Sequence, residues 1–81
     1  MITGPQIRAA RALVGWTAEE LSLRSHIGVV TLRRAERAAG MARMQVVKEI
    51  ALKNAFREAG VTFFEDPERW SGVRLHKRRS E

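Results

Sequence analysis

Residues 24–43 carry Arg24, Arg33, Arg34, Arg37 and Arg43 against a single acid, Glu36. At about 100° per residue, Val29, Val30, Arg33, Arg34 and Arg37 fall on one side of a helix, and Gly28, Thr31, Leu32, Ala35 and Glu36 on the other. Arginine is the commonest bidentate partner of a guanine edge, and valine can meet the thymine methyl. An arginine near the far end of such a helix, here Arg37, meets phosphate, which adds affinity without sequence information; Arg43 is read the same way. An ordinary solvated face mixes charges and does not lead with two valines. The chemistry this pattern points to is nucleic-acid recognition. A second basic segment, Arg74 with Lys77, Arg78 and Arg79, either adds to the attraction for phosphate or serves only solubility.

No comparable set supports catalysis. The chain has two histidines, His26 and His76, and neither cysteine nor tyrosine. The histidines have no partners at metal-ligand spacing, so no metal and no cofactor is implied. Glu19-Glu20 and Glu65-Asp66 read as helix-start and loop charges. Nothing assembles a nucleophile, a base and an oxyanion site, and an enzyme is not expected.

The positioning elements must come from a short chain. It has 81 residues, 15 Lys and Arg against 9 Asp and Glu, a net charge of +6 and 44% hydrophobic residues. That is apolar enough for a core and too much for a disordered basic tail. Small size makes a monomer marginal, and without cysteine the common remedy is oligomerisation. No apolar run is long enough for a membrane span, and Met1-Ile2-Thr3-Gly4-Pro5 lacks the order of a signal peptide. A soluble, cytoplasmic domain with an anionic partner is the expectation.

Pro5 suits a first helical turn, and Ile7, Ala10 and Val14 follow at helical spacing with Leu13 beside them, until Gly15. Thr17 caps a second helix and Glu20 can bond back to it, while Trp16 and Leu21 can close a hydrophobic staple. Trp16 is thus a packing residue rather than a base-stacking one. The second helix ends near Arg24 or Ser25. Ser25-His26-Ile27-Gly28 is a tight turn, and a third helix spans about 29–37. After a loop at 38–42, a fourth helix runs over roughly 44–59 to Gly60. It carries two apolar stripes: Val46, Val47, Ile50 and Ala51, then Leu52, Ala55, Phe56 and Ala59. One must cover the C-terminal segment or a partner subunit. Val61–Phe64 and Gly72–His76 read as short strands.

Two short helices joined by a tight turn, the second with a basic outer face, make a helix-turn-helix. The run Arg8-Ala9-Ala10-Arg11-Ala12-Leu13-Val14-Gly15-Trp16-Thr17, then Glu19-Glu20-Leu21, Ile27, Thr31, Leu32 and Glu36-Arg37, resembles the XRE-type, phage-repressor-like helix-turn-helix regulators over about residues 3–60. The resemblance implies a mainly α fold, a four-helix repressor-like domain with a short C-terminal β-hairpin. It also implies operator binding as a dimer with half-sites about one helical turn apart. In that family an Arg of the first helix pairs with a Glu near the end of the recognition helix, and Arg11 and Glu36 occupy those positions. The helical wheels place both at the edges of buried faces, so a scaffold-orienting ion pair is expected. The chain departs from the pattern at Ala18, where Gln is frequent, and mildly at Ser22. It departs again at His26, where the turn glycine stands, and at Gly28, where a polar cap is usual. His26 takes the left-handed conformation or marks a different turn.

The expected organisation is a helix-turn-helix domain over 1–60, with a hairpin and basic tail over 61–81 belonging to the same fold. The expected function is a homodimeric, sequence-specific transcriptional regulator of double-stranded DNA, touching it through Val29, Val30, Thr31, Arg33, Arg34, Arg37 and Arg43. Its dimer contact is expected at Leu52, Phe56, Phe63, Val73 and Leu75. The alternative is a helix-turn-helix that has lost DNA reading and acts as a protein-interaction module. An antitoxin-like protein would bind its own operator as well as a partner.

Overall fold

Thr3 sets the start of the first helix. Its hydroxyl accepts from the Gln6 N–H at 3.1 Å, while the Gln6 carboxamide oxygen accepts from the Thr3 N–H at 2.8 Å. This reciprocal box, with Pro5 in the first turn, opens α1 at Gly4–Val14, and Gly15 closes it in the left-handed conformation, φ 72°. A computed structural model describes residues 2–66 and 70–76. The remaining elements are α2 (Ala18–Ser25), α3 (Val29–Arg37), α4 (Val46–Glu58), β1 (Val61–Asp66) and β2 (Trp70–Leu75). The chain is thus mainly α, four helices followed by a short antiparallel hairpin.

The core is built from Ile2, Ile7, Leu21, Leu32, Leu52, Phe56 and Val61, each fully buried. Trp16 is half-buried and stacks on Phe56 with ring centroids 5.2 Å apart; Phe63 meets Phe56 edge-on at 5.5 Å. The three rings join the α1–α2 turn to α4 and then to β1. Such contacts add about 0.5–1.5 kcal/mol each beyond burial.

Helix α4 begins two residues later than its periodicity suggests. The main chain before it is held extended: Ala42 N–H donates to Ile2 O and Gly4 N–H to Gly40 O, both at 2.9 Å, around a bridge between Thr3 and Met41. Gln45, with its main chain extended at ψ 147°, is the N-cap, so the helix starts at Val46. Of the two apolar stripes, Leu52, Ala55, Phe56 and Ala59 lie inside the protomer, whereas Val46, Val47 and Ile50 are exposed. Leu52 and Phe56 therefore cannot serve as the expected dimer contact, because the fold has already spent them on its own core.

The hairpin runs from the pair Val61–Leu75 to the pair Asp66–Trp70. It is longer at the turn than expected, so the backbone of Glu65 and Asp66 is strand rather than loop, and β2 ends at Leu75. Packing against α1 and α4 supports a sheet that two strands alone would not sustain. One side chain binds it to α1: the buried Gln6 donates from Nε2 to Phe64 O and to Gly72 O, each at 3.0 Å. The basic segment Lys77, Arg78 and Arg79 lies outside the described residues.

Candidate nucleic-acid interface

Three hydroxyl side chains brace α2 and its turn into α3. Thr17 caps α2 by accepting from the Glu20 N–H at 3.0 Å. The Glu20 carboxylate does not return to the cap as expected; it accepts from Arg24 Nε at 2.8 Å, and the Arg24 guanidinium lies 4.6 Å over the Trp16 ring. At the other end, Ser22 Oγ donates to Ile27 O at 2.6 Å and Ser25 Oγ donates to Leu21 O at 2.8 Å. His26 sits between them at φ 62°, doing in the left-handed region what glycine does without steric cost. Ile27, 2% exposed, anchors the turn in the core.

Beyond the turn, α3 divides as its sequence predicts. Leu32, Ala35 and Glu36 are buried, and Val30, Arg33, Arg34 and Arg37 are exposed, with Val29 and Thr31 half-buried. Gly28 caps α3 without a side-chain bond. The inner face is fixed by Glu36, whose two carboxylate oxygens accept from Arg11 Nε at 2.9 Å and Nη2 at 2.7 Å. Arg11 Nη1 also donates to Trp16 O at 3.0 Å, so one guanidinium orients both α3 and the α1–α2 turn. Arg8 donates to Glu36 O, taking up a carbonyl at the C-terminal end of α3. Gly4 closes the joint: a Cβ there would stand 2.2 Å from Ala38 O.

The acids of this half of the chain are matched one to one. Glu36 pairs with Arg11, Glu20 with Arg24, and Glu19 with Arg33 across α2 and α3. Among the described residues, Arg34, Arg37 and Arg43 have no acidic partner. The first two lie on the outer face of α3 and Arg43 is exposed in the loop that follows it. Three arginines without acidic partners are thus carried by the outer side of α3 and its exit loop.

Of the other residues singled out from sequence, Phe63 and Val73 are half-buried against the core and Leu75 is 47% exposed. A cleft of about 160 Å³ lies between α4 and β1, lined by Lys53, Arg57, Val61, Thr62 and Phe63. Among the described residues no group of His, Cys, Asp and Glu could hold a metal ion, and no helix is long and apolar enough to cross a membrane. Sequence reasoning passed over Gly4, Gln6 and the partnership of Glu19 with Arg33. The Thr3-x-x-Gln6 box was visible as a pattern; the partners of Gly4, Gln6 and Glu19 depend on tertiary placement.

Two short helices at a tight, serine-braced turn, with cations along the outer face of the second, define a DNA-binding helix-turn-helix domain. Residues 7–53 match the helix-turn-helix family model, more than half of the chain, and the chain belongs to that family in its XRE type. A comparison with curated proteins returned no match.

Proposed function

We propose that the chain is a transcriptional regulator in the cytoplasm, binding a two-fold-symmetric operator as a homodimer with α3 in the major groove. The observation that carries this reading is the exposed outer face of α3, where Val30, Arg33, Arg34 and Arg37 stand together and two of the arginines lack acidic partners. Arg33 and Arg34 contact base edges. Val29, Val30 and Thr31 contribute methyl packing, and Arg37 and Arg43 hold phosphate.

Dimerisation uses apolar groups that the fold leaves outside. Leu75 of the expected set is one, and Val46, Val47 and Ile50, at 74%, 75% and 53% exposure, are the others. Selection of binding sites from random duplex DNA, followed by titration across a salt series, tests the reading. An enriched inverted repeat with salt-dependent affinity is the expected result. Weak, uniform binding would instead favour the protein-interaction alternative, for which the exposed Leu23 and the Val46–Ile50 stripe are the natural surfaces.

A further inference from the structure

Arg33 occupies the middle of the outer face of α3, yet its Nη2 is engaged by Glu19 Oε2 from the first turn of α2. Both side chains are more than half exposed, at 53% and 65%, so the pair adds little to folding stability. It has two other consequences. Arg33 brings no uncompensated charge to phosphate, unlike Arg34, Arg37 and Arg43. Its long side chain is also held at one end, while four of its five N–H donors stay free. A guanine edge needs two of them. Glu19 itself is an acid on the outward side of the two helices, where it would oppose phosphate unless its partner neutralised it.

We infer that Glu19 is a positioning residue for sequence reading: it holds the Arg33 guanidinium so that this arginine discriminates a base pair instead of following the phosphate backbone. The inference rests on the DNA-reading function proposed above and names the residue that sets specificity at one position of each half-site. With Glu19 neutralised, Arg33 becomes one more mobile cation. Binding to unrelated sequences then strengthens and preference at the Arg33 position weakens.

The test compares the full-length wild-type chain, E19Q, R33A and the double variant. Each is put through the same selection from random duplex DNA and then titrated against the preferred site and single-base substitutions of it over a salt series. R33A identifies the base pair that Arg33 reads. E19Q is expected to lose about tenfold discrimination at that same base pair. Its salt dependence should steepen by about one released counterion per protomer. The double variant should be no less selective than R33A alone. Because Glu19 is a surface side chain, melting temperatures should match within about 4 °C, which separates reading from folding. An E19Q chain that keeps full preference at the base pair relaxed by R33A overturns the role of Glu19 and leaves the regulator reading intact. A wild-type chain that enriches no motif overturns both.

Discussion

The inner and outer sides of α3 each carry an arginine–glutamate pair, and burial makes the two pairs different devices. Inside, Glu36 is 7% exposed and meets Arg11 through two hydrogen bonds, with Arg8 on its carbonyl and Gly4 pressed against the end of the helix. That pair cannot be opened without leaving an unmatched charge in the scaffold. Outside, Glu19 and Arg33 stand in solvent, joined by one contact that water and salt can replace. The comparison teaches that identical residue chemistry fixes the angle of a helix on one side and leaves a choice of ligand on the other. What decides is whether solvent can compete.

The sharpest way to break that contrast is to remove the inner acid. Glu36→Ala is expected to lower unfolding stability by about 3 kcal/mol in denaturant titration, because Arg11 is left partly buried and unpaired. A loss no larger than that of an ordinary surface substitution would show that the inner pair is as dispensable as the outer one. Gly4→Ala comes next, at about 2–3 kcal/mol, since its Cβ would collide with main-chain oxygens that cannot swing aside. On the outer side, Arg34→Ala should leave the melting curve in place and weaken the preferred site by about 1–3 kcal/mol, relaxing one operator position. Equal losses at every base would move Arg34 to the phosphate group of contacts. Arg43→Ala should weaken all sequences alike, by roughly 1 kcal/mol, and flatten the salt dependence by about one counterion. The smallest effect belongs to the turn. His26→Gly relieves a left-handed residue and should raise stability by about 0.5–1 kcal/mol, less if the freer unfolded chain offsets it, without changing the selected motif.

Local rules reached a long way into this fold. The helical period, Thr17, Gly15 and the Ser25–Gly28 turn located α1 to α3 to within a few residues, and the wheel of α3 separated Leu32, Ala35 and Glu36 from the outer arginines. These features depend on neighbours three or four positions apart. Helix α4 shows where such rules stop. Its two stripes are equally apolar, and nothing within 46–59 says which one will meet Trp16 and Phe63. The structure buries Leu52 and Phe56 and leaves Val46 and Val47 outside, opposite to the dimer contact their sequence suggested. At the candidate interface, the residues of the outer face could be named from sequence. Their sorting into neutralised Arg33 and unpaired Arg34, Arg37 and Arg43 could not, because it depends on Glu19 of another helix.

The double donation of Gln6 has a consequence for how the chain is made. Its carboxamide donates to carbonyls 58 and 66 residues further along, so the tie between the first helix and the hairpin is not completed until the second strand arrives. An otherwise local, helical topology thereby acquires a late closing step of large sequence separation, the kind that slows folding. A chain emerging from the ribosome, or one clipped before β2, would hold all the residues of α2 and α3 and still lack one of the two Gln6 acceptors, the Gly72 carbonyl. The last strand thus completes a tie to the first helix that the helix-turn-helix residues alone do not make.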